Sequence, residues 1–271
     1  MGLRTYYWQP SLRAEQRRPA RGALHVGNFG DLFTAALIQQ VYSVSSRIVQ
    51  ADGRRLLLTG SIAHTLHAGD VVCGVGTKGK ALPHPRETEG VRILGLRGPL
   101  TYDAFRRRGY DVSTVRFLRD PGLFVRFMVG DSDRTSAKGA SFLPHYRERL
   151  RYTRHTLPRG IRLLTCDAEP LKVAEDILSS ELVYTSSLHG IIFSHALRRP
   201  CVFVRPQTAE PLLKYADYFA SIDRPLPKVL TSIADARFHR SPDSPIHLPL
   251  EPGDFPFPAL EDLAAWGVVE A

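Results

Sequence analysis

Ser186-Ser187-Leu188-His189-Gly190 stands between a short apolar run, Leu182-Val183-Tyr184, and a run with helical patterning, Ile191 to Leu197. A strand that ends in two hydroxyls, a histidine and a glycine, and then opens a helix, suits an anion. The first N–H groups of a helix have no partner within it, and the helix dipole favours negative charge there. Serine hydroxyls add donors, and an unperturbed imidazole titrates near neutral pH. Ser186, Ser187, Leu188 and Gly190 are therefore candidate ligands of a phosphate or carboxylate. His189 beside them is an acid/base group or a further phosphate ligand.

Other segments carry groups of the same kind. Gly27-Asn28-Phe29-Gly30-Asp31 precedes the first strong helical run. Asp31 either caps that helix or lies at the mouth of a sheet, where it accepts a proton from a substrate hydroxyl. Arg97-Gly98-Pro99 follows a strand-like run and opens a helix with proline in its first turn. An arginine there faces the crevice at the strand ends of an open α/β sheet, where its fork fits a carboxylate or phosphate; a surface salt bridge is the bland alternative. Pro144-His145-Tyr146 ends another strand, which makes His145 a crevice residue or a hydrogen-bonded structural histidine. Leu118-Arg119-Asp120-Pro121-Gly122 reads as a turn for local reasons.

Two tempting motifs fail on their context. Gly74-Val75-Gly76-Thr77-Lys78-Gly79 has the spacing of a dinucleotide fingerprint, but that fingerprint must open a helix. Lys80-Ala81-Leu82-Pro83-His84-Pro85 follows instead, and its prolines deny one. A glycine-rich loop lining a cleft is the better reading. His64-Thr65-Leu66-His67 lacks nearby carboxylates, so no metal is expected. Cys73, Cys166 and Cys201 are odd in number and far apart, and read as buried reduced thiols.

These groups need a scaffold, and 271 residues suffice for one large α/β domain or two smaller ones. Strand-like runs at Leu3 to Trp8, Leu56 to Thr59, Val71 to Val75 and Val91 to Leu96 alternate with helical runs at Leu32 to Tyr42 and Leu100 to Arg108. After Gly130 to Gly139 the alternation resumes, with strands at Ser141 to Leu143, Ile161 to Thr165, Leu182 to Tyr184 and Cys201 to Val204. Helices near Leu171 to Ser179 and Ile191 to Leu197 separate them. This order predicts parallel sheets covered by helices. The polar stretch Gly130 to Ser136 reads as a linker. The expected division is an N-terminal unit over 1–130, a second over 140–240 and a proline-rich C-terminal extension over 241–271. Phe255 and Phe257 would anchor that extension, with Ala259 to Trp266 as a short helix.

The net charge of +9 rests on arginine clusters at Arg13, Arg17, Arg18 and Arg21, at Arg106 to Arg108, and between Arg147 and Arg154. Aromatic residues are not interleaved with them and no nucleic-acid-binding motif is visible, so no nucleic acid is expected. Peripheral contact with an anionic membrane surface is the better use of such charge. The first residues lack the apolar core of a secretory signal and no apolar run approaches a membrane span, so the expected location is the cytoplasm.

Taken in order, these segments resemble the polysaccharide pyruvyltransferase family, and most closely its succinoglycan-type exopolysaccharide ketal pyruvyltransferase branch. The resemblance is carried by Asn28-Phe29-Gly30-Asp31, Gly60-Ser61-Ile62, Asp70 to Gly76, Arg97-Gly98-Pro99-Leu100, Asp120-Pro121-Gly122-Leu123, Pro144-His145-Tyr146, Ser186 to Ile192 and Lys214 to Tyr218. No single segment is specific, but the ordered set spans Leu3 to Asp223. Arg119 stands where the family often has glycine, and Cys73 where tryptophan is common. Ser187 stands where some members have an arginine, whose donor contacts would here pass to Arg97 or Arg205.

The resemblance implies two Rossmann-like domains with mostly parallel sheets facing a central cleft, a GT-B-like arrangement. It also implies phosphoenolpyruvate as co-substrate, no other cofactor, and a glycan or lipid-linked oligosaccharide as acceptor, joined as a cyclic ketal. His189, Asp31 and His145 are then the acid/base candidates. Arg97, Arg205 and the residues of the Ser186 to Gly190 segment would hold the donor. The alternative is a GT-B-type glycosyltransferase with a nucleotide-sugar donor, for which Asp167 or Glu169 would have to bind the nucleoside.

Overall fold

The computed structural model describes residues 1–9, 24–50, 54–130, 137–238 and 245–270. Two mainly parallel sheets organise these residues into a mixed α/β structure. The first contains β1 (Gly2–Thr5), β2 (Ser45–Ile48), β3 (Leu56–Leu57), β4 (Val71–Cys73), β5 (Arg92–Leu96), β6 (Phe117–Leu118) and β11 (Val269–Glu270). Its order is β11-β1-β3-β4-β5-β6, with β2 also paired to β1. All pairings are parallel except β1 with β11, where Leu3 lies opposite Val269. The second sheet has the order β10-β9-β7-β8, all parallel, from β7 (Ala140–Leu143), β8 (Ile161–Leu163), β9 (Leu182–Thr185) and β10 (Cys201–Phe203).

The strands follow from apolar runs covered on both faces, as parallel sheets demand. Every residue of β4 is buried. The helices between them are α1 (Phe29–Tyr42), α2 (Pro99–Arg108), α3 (Pro170–Leu178), α4 (Leu188–Ala196), α5 (Leu213–Ser221) and α6 (Leu260–Ala265). Local chemistry sets their ends. α2 opens with Pro99 and closes on Gly109 at φ 92°, and Arg106, Arg107 and Arg108 complement the dipole at its C-terminal turn. That arginine cluster thus has a local role in the helix.

Several boundaries differ from the sequence reading. β1 ends at Thr5, so Tyr6 and Trp8 leave the sheet. α4 begins at Leu188, three residues before the expected start at Ile191. The cause is Ser187, whose Oγ accepts the Gly190 N–H and makes Ser187 the N-cap. β2 is polar and partly exposed, β11 has only two residues, and α5 lacks a side-chain cap; none of the three carries a strong local signal. The greater part of the expected linker, 131–136, and the arginines at 13, 17, 18 and 21 lie outside the described residues.

A single cluster of buried apolar side chains runs from the first sheet to the second. Phe29 and Phe33 of α1 meet Phe193 of α4 edge-on, with centroids 5.3 and 5.1 Å apart, an arrangement favoured by the ring quadrupoles. Phe255 packs edge-on against Phe117 and Phe124, which holds the proline-rich segment to this core. Cys73 and Cys166 are buried free thiols, and Cys201 is half-buried. Among the described residues no helix is long and apolar enough to cross a membrane.

Candidate active site

The loops that follow the strands converge on one cavity of about 290 Å³. The segment after β3 contributes Gly60 to Thr65, the one after β4 contributes Lys78 and Lys80, and those after β7 and β9 contribute His145 to Arg147 and Ser187 to His189. Asp31 enters from the first turn of α1, Lys214 from the start of α5, and Glu210 from the loop just before it. The carboxyl ends of parallel strands are where open α/β sheets bind ligands, because the loops there diverge and the helix N-termini point inward.

Asp31 is nearly buried, and its Oδ2 accepts a hydrogen bond from Asn28 Nδ2 at 2.7 Å. Burial pushes its carboxyl up to about 6, against the opposing pull of that hydrogen bond and of Lys214 and Lys78. The helix-capping alternative does not hold. Asn28 is the N-cap residue, and Asp31 lies inside the first turn facing the cavity.

His189 is held between two elements. Its Nδ1 lies against Gly30 of α1, where any side chain would overlap the imidazole, and Gly122 borders its Cδ2 edge. Nε2 is buried without a hydrogen bond, 3.9 Å from Asp120 Oδ1. Burial, assisted by Arg97 and Lys214, pushes the imidazole down to about 3. His189 therefore rests neutral, contrary to the near-neutral titration expected of it. Asp120 forms the anticipated turn, its carboxylate accepting the Gly122 N–H at 2.8 Å. Burial raises its carboxyl to about 6.

His145 also lines the cavity. Its Nδ1 accepts the Arg147 N–H and its Nε2 lies 3.5 Å from Lys214 Nζ. Burial and then the Lys214 charge push it down to about 3. Lys214 Nζ bonds Glu210 at 2.8 Å, and Glu210 pairs with Arg147 at 3.0 Å. Lys78 and Lys80 complete this wall, and neither has an ion-pair partner among the described residues. Lys78, Lys80, Arg147 and Lys214 outnumber Asp31 and Glu210, so the cavity carries an excess of positive charge.

The remaining candidates are placed elsewhere. Arg97 is fully buried and lines no part of the cavity. Its Nε donates to Asp217 and its guanidinium also reaches Ser61 Oγ and the Thr77 carbonyl. Gly76 of the glycine-rich loop makes room for it, since a Cβ there would overlap the guanidinium. Ser186 is buried below the cavity, where its Oγ donates to Glu148 and accepts the His145 N–H. The Gly190 N–H is taken by Ser187 Oγ. Arg205 is exposed and outside the cavity. Of the five-residue segment, Ser187, Leu188 and His189 reach the cavity. Asp167, on which a nucleotide-sugar reading would rest, accepts the backbone N–H groups of His25, Val26 and Gly27. Glu169 precedes α3 and is exposed.

Glu210, Tyr6 and Trp8 carry no site signal in the sequence, Tyr146 appears there only beside His145, and Lys78 and Lys80 appear within the loop Lys78 to Glu89, where acceptor specificity is expected. Lys78 sat inside the glycine-rich loop already read as lining a cleft, which was the available signal. Among the described residues no group of three or more His, Cys, Asp or Glu side chains is placed to hold a metal ion.

Comparison with known proteins relates part of this chain to one family. The model of the polysaccharide pyruvyl transferase family matches residues 89–208, which run from before β5 to just past β10 and include His145 and Ser186 to Gly190. An uncharacterized protein of Acanthamoeba polyphaga mimivirus is 27% identical over 170 residues, 59% of this chain and 58% of that protein's length. The chain thus spans less than two thirds of that relative. No solved structure gives a significant match.

Proposed function

We propose that the chain transfers the pyruvyl group of phosphoenolpyruvate to two hydroxyls of a glycan or its lipid-linked precursor, forming a cyclic ketal. The observation that carries this reading is a cation-rich cavity in which a carboxyl raised to about 6 faces unpaired lysines. The family match over residues 89–208 supports pyruvyl transfer onto a polysaccharide. The two sheets would act as GT-B-like domains, both contributing residues to the cavity. Lys78, Lys80 and the N-terminus of α4 with Ser187 would neutralise the donor anion, the roles first assigned to Arg97 and Arg205.

Protonated Asp31 gives its proton to the methylene carbon of the donor, which becomes the methyl group. The first sugar hydroxyl bonds to C2 and passes its proton to His189. With the Nε2 proton turned toward Asp120, the Nδ1 lone pair receives it. The second hydroxyl then bonds to C2 as the C2–O bond to phosphate breaks. His189 returns its proton to the departing phosphate, and the Asp31 carboxylate takes the proton of the second hydroxyl. Both groups end as they began. An imidazolium with a strongly depressed pKa is a strong acid, which suits protonation of a leaving group.

Phosphate release from phosphoenolpyruvate in the presence of a lipid-linked glycan extract tests the reading. Thermal stabilisation by phosphoenolpyruvate and not by UDP-sugars is the expected binding result. Stabilisation by UDP-sugars alone would overturn it.

A further inference from the structure

Beyond the charged wall, the cavity has an uncharged aromatic one. Trp8 and Tyr146 both contribute to it, their ring centroids 4.7 Å apart and their planes tilted by 43°. The two reach this position from different sheets: Trp8 lies just past β1, where the chain leaves the first sheet, and Tyr146 just past β7 of the second. Tyr146 is braced on its own side by His145, centroids 4.6 Å apart, and by the Arg147 guanidinium. Neither Trp8 nor Tyr146 is consumed by the core, as both remain half-buried. Tyr6 and Ile62 extend the same surface.

An enol phosphate has little use for such a wall. It is small and anionic, and the lysines opposite satisfy it. A pyranose ring differs, because one or both of its faces present a patch of C–H bonds while hydroxyls ring the edge. Aromatic faces with a negative quadrupole match C–H faces, and the polar rim of the cavity matches the hydroxyls. We infer that Trp8 and Tyr146 form the acceptor subsite, on which a pyranose stacks so that its edge hydroxyls face Asp31 and His189. This rests on the acceptor being a glycan, as proposed above. The cavity, about 290 Å³, lies at the small end of the roughly 300–1,000 Å³ range of ligand clefts.

The test compares wild type, Trp8→Ala and Trp8→Phe in phosphate release, varying the lipid-linked glycan and phosphoenolpyruvate separately. The subsite requires the acceptor KM to rise about tenfold in Trp8→Ala, with the donor KM and the thermal shift given by phosphoenolpyruvate unchanged. Trp8→Phe, which keeps a ring and guards against misfolding, should recover most of the loss. An unchanged acceptor KM in Trp8→Ala overturns the subsite and leaves the transfer reading intact. If wild type releases no phosphate, the transfer reading fails and binding decides the subsite. The chain has two tryptophans, so Trp266→Phe leaves Trp8 as the sole indole. Saturable change in Trp8 emission with methyl glucoside, galactoside or mannoside then supports the subsite, and no change with any of them overturns it.

Discussion

Arg97 Nε lies 2.9 Å from Asp217 Oδ2, and both side chains are withdrawn from solvent. The same carboxylate accepts the backbone N–H of Thr101 at 2.9 Å and its hydroxyl at 2.6 Å. Asp217 thereby ties α5 to the first turn of α2 and neutralises an arginine at the end of β5. Removing one member of such a pair leaves an uncompensated buried charge, which typically costs 3–5 kcal/mol. Arg97→Ala should lower the urea midpoint by a corresponding amount. The molecules that remain folded should keep the wild-type donor KM.

Lys78→Ala and Lys80→Ala should show the opposite pattern. Neither lysine forms an ion pair with a carboxylate among the described residues, so stability should change by less than about 0.5 kcal/mol. Each should weaken phosphoenolpyruvate binding by roughly tenfold, the loss of one charge-assisted hydrogen bond. Thermal-shift titrations at rising salt would check this, with the wild-type advantage shrinking as screening grows.

Asp31→Asn separates catalysis from stability. A carboxyl raised to about 6 is neutral in the folded chain between its unfolded value near 3.8 and about 6, where the unfolded chain has already ionised. Stability is therefore lost as pH rises through that window, and the loss is complete above it. Asp31→Asn should stabilise the protein at pH 7 by roughly 2–3 kcal/mol and give no gain below about pH 4. Turnover should fall by about 10²-fold or more. In wild type, kcat/KM should decline above about pH 6, and Asp31→Asn should remove that limb from the residual rate.

Gly30→Ala is informative because local propensity and tertiary packing oppose each other. Alanine in a helix is intrinsically favoured over glycine by about 1 kcal/mol. At this position its methyl would overlap the His189 imidazole. Overpacking of this kind costs about 1–3 kcal/mol. Net destabilisation in urea, with kcat falling toward that of His189→Ala, is the expected result. A more stable and fully active Gly30→Ala would show that the imidazole need not be held there.

Periodicity and junction chemistry alone were enough to read the alternation of strands and helices, the strand-to-helix junction at Ser186 to Gly190, and the placement of Asp31 and His145 at strand and helix ends. Those features depend on neighbours a few residues away. Arg97 reads as a donor ligand in the sequence because its partner lies 120 residues further along the chain, and no local pattern shows whether a cation is free or already neutralised. Lys78 and Lys80 are open to a ligand for the same reason reversed, since no carboxylate among the described residues forms an ion pair with them. The depressed pKa of His189 comes from burial between Gly30 and Gly122, on elements distant in sequence, and desolvation is a property of the assembled interior. Trp8 reads as the end of a strand until the chain leaves the sheet at Thr5 and meets Tyr146. Residue types set which chemistry was possible; long-range pairing and burial decided which of those residues remained available for it.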